Sequence, residues 1–543
     1  MLYSIFVYIM RHLSLALLSV VLLSIVNACQ STSEPVAEEV PADTLEPHRP
    51  IYHFTPPEQW MNDPNGMVYY DGEYHLFYQH YPDSNVWGPM HWGHAVTEDL
   101  VHWERLPIAL YPDSLGYIFS GSAVIDANNT SGLGTADNPA MVAIYTYHDA
   151  EKAETDAIDY QTQGIAFSTD RGRNWTKYDQ NPVIPNPGIE DFRDPKVFWY
   201  APSEKWVMAL AVDDHVSFYS SPNLKEWTKE SDFGKEWGSH AGVWECPDLF
   251  PMEVAGEERW VLLLSINPGG PNKGSATQYF VGDFDGKTFT LDEAFREDVR
   301  NENGVWLDYG PDDYAGVTWA NVPEGDGRRL FMGWMSNWHY GQEVPTEAWR
   351  SAMTVPRTLE LINLPVGLRV VSQPVNELQA LRQNTQSLEA ATVQDTLRIM
   401  TIPTDEAATV ELELAFNGAD TSVTDVGVEL SNERGESLRI GYNKEEQQYY
   451  IDRSESGKTD FSEKFSLRPV APRIAGSDTV RMHLLIDVAS VELFADEGKT
   501  VMTAIFFPNE PYRHVSLFSE GGAASLAAGS VHNLVDQSVV EGP

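Results

Sequence analysis

Three short stretches of this 543-residue chain set a carboxylate among neighbours able to tune it. The first is Trp60-Met61-Asn62-Asp63-Pro64-Asn65-Gly66. Asp-Pro-Asn-Gly by itself makes a tight turn, since proline fixes one φ and Asn-Gly accepts positive φ, but a turn has no need of Trp60 and Asn62 ahead of it. The second, Phe192-Arg193-Asp194-Pro195-Lys196-Val197-Phe198, puts an acid beside a guanidinium just before an apolar run; a structural ion pair is the plain alternative. The third, Trp244-Glu245-Cys246-Pro247-Asp248-Leu249-Phe250, places Glu245 in apolar company, where desolvation raises a carboxyl pKa and keeps its proton near neutrality. Such a carboxyl can serve as a proton donor.

The elements that must hold these acids read as β-structure. From about residue 51 short β-type runs are separated by Gly, Pro, Asn and Asp, with no long stretch of helical period. A weak repeat runs through them: an apolar strand, a polar turn, then an aromatic. It passes through Thr97-Glu98-Asp99 to Trp103, Ser168-Thr169-Asp170 to Trp175, Ser220 to Asn223 and Trp227, and Gly282-Asp283-Phe284-Asp285 to Phe289. Spacings of 72, 52 and 62 residues between the aromatics fit propeller blades with variable loops, with a plain sandwich as the alternative. After residue 365 the texture changes: a polar bridge covers 366–387, and from 388 to 543 strands alternate openly, as in Val410, Leu412, Leu414 and Phe416. Open alternation marks a sandwich whose sheets have one wet face.

Composition bounds the partners. With 80 acidic and 36 basic side chains the formal charge is −44, a field that repels nucleic acid and anionic membrane surfaces. A hydrophobic fraction of 42% with 16 Trp, 24 Tyr and 22 Phe supplies large cores and excludes a disordered polyacid. At the N-terminus Arg11 and His12 precede the uncharged run from Leu13 to Val26, too short to span a bilayer and suited to a signal peptide. Met10 is an alternative start. The run ends in Val26-Asn27-Ala28-Cys29, which resembles a bacterial lipobox: residues 1–28 read as a signal peptide and Cys29 as the lipid attachment point, against an ordinary cleaved signal with an incidental cysteine. Residues 29–50, rich in Pro and Glu, read as a tether. The expected location is the bacterial cell envelope, through a lipid anchor. Cys246 is the only other cysteine, so acylation of Cys29 leaves no intramolecular disulfide.

The three acidic motifs, in this order, resemble those of glycoside hydrolase family 32, the levanases, inulinases and invertases that cleave β-fructosides. Further segments resemble the family: Trp87-Gly88-Pro89-Met90-His91-Trp92-Gly93-His94, Phe119-Ser120-Gly121-Ser122, Gly333-Trp334-Met335-Ser336-Asn337-Trp338, Pro345 to Met353, and Asp487-Val488-Ala489-Ser490-Val491-Glu492-Leu493-Phe494. The resemblance implies a five-bladed β-propeller over 51–365 followed by a β-sandwich. It implies retaining double displacement, with Asp63 as nucleophile, Glu245 as general acid/base and Asp194 as transition-state stabiliser. Such chemistry asks for the two reacting carboxyls to lie about 5–5.5 Å apart. Arg193 is expected to orient and ionise Asp194, and Asn62, Gln79, Trp87, Phe119, Ser120 and Trp338 to line the fructose pocket, with core packing the competing reading for the aromatics. The family chemistry implies no cofactor and no metal, so His91, His94 and His102 read as ordinary histidines and Asp312-Asp313 as a solvated turn. Asp312-Asp313-Tyr314 also departs from the family pattern, which has an aromatic before the tyrosine, and this puts the shape of the funnel rim in question. The Trp-rich last blade and the pattern from Asp308 to Thr318 resemble exo-acting fructanases more than plant invertases, which implies release of fructose from levan or inulin ends. An endo-levanase, a sucrose-preferring invertase and a non-catalytic fructan-binding lipoprotein are the alternatives, and an inverting arabinan-type hydrolase is a more distant one.

Overall fold

The computed structural model of the chain describes residues 46–302, 304–404, 406–417, 422–534 and 540–541. The expected signal peptide, Cys29 and the tether up to residue 45 lie outside the described residues. Five sheets of mainly antiparallel strands follow one another from residue 59, and their first strands are β1 (Gln59–Tyr70), β2 (Tyr117–Asp126), β3 (Phe192–Tyr200), β4 (Val243–Val254) and β5 (Tyr314–Thr318). Each of these strands packs against the next, and β5 packs against β1. The sheets therefore circle a common centre, the arrangement of a propeller.

Polar side chains stitch the seams. The Ser122 hydroxyl, on the second sheet, donates to Pro195 O (2.8 Å) and accepts from the Val197 N–H (3.0 Å) of the third. Lys196 reaches across to Asp248 (3.0 Å), and Asp248 accepts from Thr318 N (2.6 Å) on β5. Ala320 and Tyr69 then join the fifth sheet to the first, with the Tyr69 N–H donating to Ala320 O at 2.9 Å. Buried charges of this kind are tolerated because each meets an opposite charge or a hydrogen bond.

The sequence repeat falls at one place in four of the five sheets, the turn between the third and fourth strands. Its polar residue caps the turn. Asp99 accepts from Val101 N and His102 N, Asp170 from Asn174 N, Asn223 from Lys225 N and Glu226 N, and Asp285 from Lys287 N and Thr288 N. In each turn the next residue has positive φ: Leu100 (65°), Arg171 (60°), Leu224 (64°) and Gly286 (91°). The fifth sheet shows no repeat because Arg357–Leu364 and Gly367–Pro374 are joined by only Pro365 and Val366.

That hairpin corrects the linker expected over 366–387. Gly367–Pro374 belongs to the fifth sheet, and Arg382–Leu388 already pairs with Ala524–Leu534 of the sandwich. What joins the two is a 3-10 turn, Asn376–Leu381, whose Leu378 and Leu381 are buried. The sandwich consists of a seven-stranded and a six-stranded sheet. Leu412, Leu484 and Leu493 from one sheet and Val428, Ile440 and Leu517 from the other share its core. One strand at the edge of the larger sheet, β6 (Thr500–Ile505), faces the propeller segment 308–313, with the Tyr309 N–H donating to Val501 O at 2.8 Å.

Candidate active site

The first strand of each of the five propeller sheets carries a bulge, two residues standing opposite one. Asn62 and Asp63 face Gln79, Phe119 and Ser120 face Thr146, and Asp194 and Pro195 face Leu210. Cys246 and Pro247 face Leu264, and Ala315 and Gly316 face Gly333. A bulge bends its strand and re-aims one side chain; three of the five bear or directly adjoin the acids, and the other two bear Ser120 and adjoin Tyr314, whose hydroxyls contact Asp63 and Glu245. Asp194, Cys246 and Ala315 have φ of 63°, 48° and 53°, a conformation that costs a non-glycine residue about 1–2 kcal/mol. Local strain of this sort is characteristic of functional positions.

Asp63 is the most elaborately held. Trp60 Nε1 donates to Asn62 Oδ1 (2.7 Å), and Asn62 Nδ2 donates to Asp63 Oδ1 (3.0 Å). The Ser120 hydroxyl donates to Asp63 Oδ2 (2.7 Å). Gln79 fixes Asn65 (2.9 Å), which in turn donates to the Asp63 carbonyl (2.8 Å). Burial and the charge of Glu245 push the Asp63 carboxyl above its ordinary value, while Ser120 and Asn62 oppose the rise.

Asp194 accepts the Cys246 N–H at 3.1 Å, and its own N–H donates to the Thr146 hydroxyl at 3.0 Å. The Cys246 sulfur lies 3.6 Å from both Asp63 Oδ2 and Asp194 Oδ2, so one side chain touches both acids. Burial, with Asp194 and Asp63 beside it, drives the thiol pKa well up, and the sulfur stays protonated and neutral.

Glu245 differs from expectation. Its strand neighbour Trp244 is wholly buried in the core and Cys246 nearly so. The Glu245 carboxylate, 21% exposed, is held by polar groups instead: Arg193 Nη2 (3.0 Å) and Nε (3.2 Å) on Oε1, and the Tyr314 hydroxyl on Oε2. The apolar residues adjacent in sequence are thus not the groups that hold its carboxylate. The role expected of Arg193 is corrected too. Its guanidinium hydrogen-bonds Glu245 and Asp191 rather than Asp194, and reaches Asp194 only as a nearby charge. Burial pushes Asp194 up, Arg193 opposes this, and the negative charges of Glu245 and Asp63 reinforce it. Like charges so close favour retention of a proton on Asp194.

The expected pocket residues take different places. Gln79 is buried and acts through Asn65, donating also to Ile118 O (3.1 Å). Trp87 is 37% exposed and meets Phe119 edge-on with centroids 6.0 Å apart. Phe119, half-buried, stacks on His148 at 4.2 Å. Trp338 lies against Trp60 (5.9 Å) and Trp334 (4.9 Å). His91, His94 and His102 have separate partners: Pro89 O, His75 and Asp99. Among the described residues one acid and imidazole group converges, Glu411, Glu413 and His483 in the sandwich. Arg382 already neutralises it, with Nη2 at 2.6 Å from both glutamates.

Asp312 and Asp313 are not a solvated turn. Both are buried, Asp312 against Arg453 and Tyr340, and Asp313 against Arg357. Two groups escaped sequence reasoning. Tyr314 was visible only as the residue after Asp312-Asp313, and nothing local to it signals contact with a residue 69 positions away. The Cys246 thiol was visible as a motif letter, but its place between two acids depends on how three strands meet.

Three carboxylates, one guanidinium and one phenol gathered where a ring of sheets converges define a site for acid/base chemistry on an uncharged, hydroxyl-rich molecule. The model of the glycosyl hydrolases family 32 N-terminal domain matches residues 53–374, and that of the family's C-terminal region matches 377–535. The chain belongs to glycoside hydrolase family 32. It is 45% identical over 497 residues to a levanase of Bacillus subtilis strain 168, an alignment covering 90% of this chain and 71% of the relative. Over 516 residues it is 38% identical to an extracellular exo-inulinase of Aspergillus awamori, covering 90% and 95%. The crystal structure of exo-inulinase from that organism superposes with a TM-score of 0.83 at 36% identity, covering 91% of this chain and 99% of that one.

Proposed function

We propose that this protein is a retaining β-fructosidase that hydrolyses levan or inulin, releasing fructose from the chain end. The observation that carries the reading is the set of acids itself: Asp63, Asp194 and Glu245 on the first strands of the first, third and fourth sheets, each at or beside a bulge. Glu245 would protonate the departing glycosidic oxygen as Asp63 attacks the anomeric carbon, giving a fructosyl ester. Water deprotonated by Glu245 then releases the sugar, and Asp63 is regenerated. The two donors on Asp63 favour its anion, as a nucleophile requires. Asp194, pressed between like charges, gains most from the positive charge that develops on the sugar ring. A binder would have no use for this arrangement. Trp87, Phe119 and Trp338 offer partly exposed rings for the C–H faces of the sugar.

We further read the five sheets as five blades around an active-site funnel. Relatives named exo-inulinase at 38–39% identity support the exo reading. Lipid attachment at Cys29 and an envelope location rest on the sequence pattern, and loss of radiolabelled fatty acid from Cys29→Ala would test them. The function is tested by incubating purified protein with levan, inulin and sucrose and resolving products by length. Fructose alone supports exo action, mixed oligomers favour an endo-levanase, and no product from any fructoside overturns the assignment.

A further inference from the structure

The segment entering β5 is built into the sandwich. Asp308 accepts from Thr503 N (2.9 Å) and Thr503 Oγ1 (2.6 Å), and Asp312 N donates to Thr503 O (3.2 Å). Gly310 lies so close to Thr503 that a Cβ would come within 2.1 Å of its carbonyl oxygen. The Asp312 carboxylate then meets two further sandwich groups, Ile505 N (3.0 Å) and Arg453 Nη1 (2.8 Å) on Oδ2, and the Tyr340 hydroxyl (2.7 Å) of the propeller on Oδ1. Arg453 is fully buried and braced by Ser466 O (2.6 Å), Ile505 O (2.6 Å) and Tyr340 (3.1 Å). Two residues beyond Asp312, Tyr314 places its hydroxyl on Glu245.

From this geometry we infer that Arg453, in the sandwich, is a positioning residue for Glu245, acting through Asp312 and Tyr314. The inference rests on the reading of Glu245 as acid/base. Tyr314 needs such an anchor because its own strand is short and interrupted. It pairs with Trp334, after which Ala315 and Gly316 bulge out against Gly333, so ladder bonds on one side cannot fix the phenol. A buried ion pair contributes little net stability compared with apolar packing but fixes one geometry, which suits this place. The sandwich, on this account, helps to aim the proton donor.

The test uses the leaving group. Protonation of the departing oxygen matters for a sugar alkoxide and hardly at all for p-nitrophenolate, and kcat/KM reports only the steps up to loss of that group. Glu245→Gln, Tyr314→Phe, Arg453→Met, Arg453→Lys and Asp312→Asn would be compared on a short fructo-oligosaccharide and on p-nitrophenyl β-fructofuranoside, with a thermal melt for each. Glu245→Gln should lose about 10²-fold or more on the oligosaccharide and far less on the aryl fructoside. Arg453→Met and Asp312→Asn should show the same selective loss at about 10-fold, with Arg453→Lys recovering part of it. Equal losses on both substrates, or no loss, would overturn the positioning role. If Arg453→Met does not fold, Asp312→Asn and Arg453→Lys, which keep volume, decide the question. Absence of selectivity in Glu245→Gln itself would instead refute the acid/base reading.

Discussion

Asp194 has to be an anion in a place that resists one. Burial raises its pKa, and Glu245 and Asp63 add like charge, against a single opposing guanidinium. A carboxylate whose folded pKa lies above its unfolded value binds more protons in the folded state, so this group lowers stability as pH rises from the ordinary carboxylate range through the elevated value. Asp194→Asn should therefore melt a few degrees higher than the parent at neutral pH, with the gain shrinking toward about pH 4. Turnover should fall by about 10²–10³-fold. Melting curves at both pH values check this, and an unchanged or lower melting temperature at neutral pH would show that the cost is not there. The acids themselves were legible in the sequence, because each stands in a motif whose neighbours have no structural reason to be together. Their partners were less so: Tyr314, and the turn of Arg193 away from Asp194, follow from which strand faces which and not from residue order.

At the scale of elements, the turns could be read and the bulges could not. An Asp or Asn that caps its own turn acts within six residues, so the four repeated turns left a local signature. A bulge is a mismatch between two strands, invisible in the period of either one. Its trace here is proline inside an apolar strand, at Pro195 and Pro247; a residue without an N–H suits a bulge position. The bulge of β2 can be tested directly. It carries Phe119 and Ser120, and Gly121 follows with no room for a side chain: a Cβ would lie 2.1 Å from Ile144 O and 2.7 Å from Tyr145 Cα. Gly121→Ala must push β2 off its neighbour and carry the Ser120 hydroxyl away from Asp63. A loss of about 1–3 kcal/mol in urea unfolding is expected, together with a fall in kcat. Gly325→Ala, where a Cβ would meet nothing within 4 Å, should stay within about 0.5 kcal/mol of the parent. Equal stability for the two variants would mean the strand gives way freely.

Across the whole molecule, buried charge holds propeller and sandwich together. Acidity that looked like solvated surface is partly internal. Arg357 is wholly buried and pairs with Asp308 (3.0 Å) and Asp313 (3.1 Å) of the propeller and Glu492 of the sandwich. The Asp312-Asp313 pair misled because exposed acids and interface acids look alike until the partner arginines, 141 and 44 residues away, are placed. His53 joins the same network from the N-terminal side. Its Nδ1 lies 2.9 Å from Asp487 and its Nε2 2.9 Å from Glu492, so both nitrogens face acceptors and the ring is held as an imidazolium. Burial alone would lower its pKa, but the hydrogen bonds and charges of the two acids overcome this and hold it at about 9. A histidine raised above its ordinary 6.5 contributes stability that is fully present below about 6.5 and lost as pH rises through about 9. Unfolding free energy should accordingly fall over that window, by at most about 1.4 kcal/mol per pH unit for one proton. His53→Gln, neutral throughout, should be less stable than the parent at pH 6 and lose less between pH 6 and about pH 9.5. Urea titrations of both proteins across this range provide the check. If the two fall with the same slope, His53 is not the titrating tie between the domains, and the alkaline loss belongs to other groups.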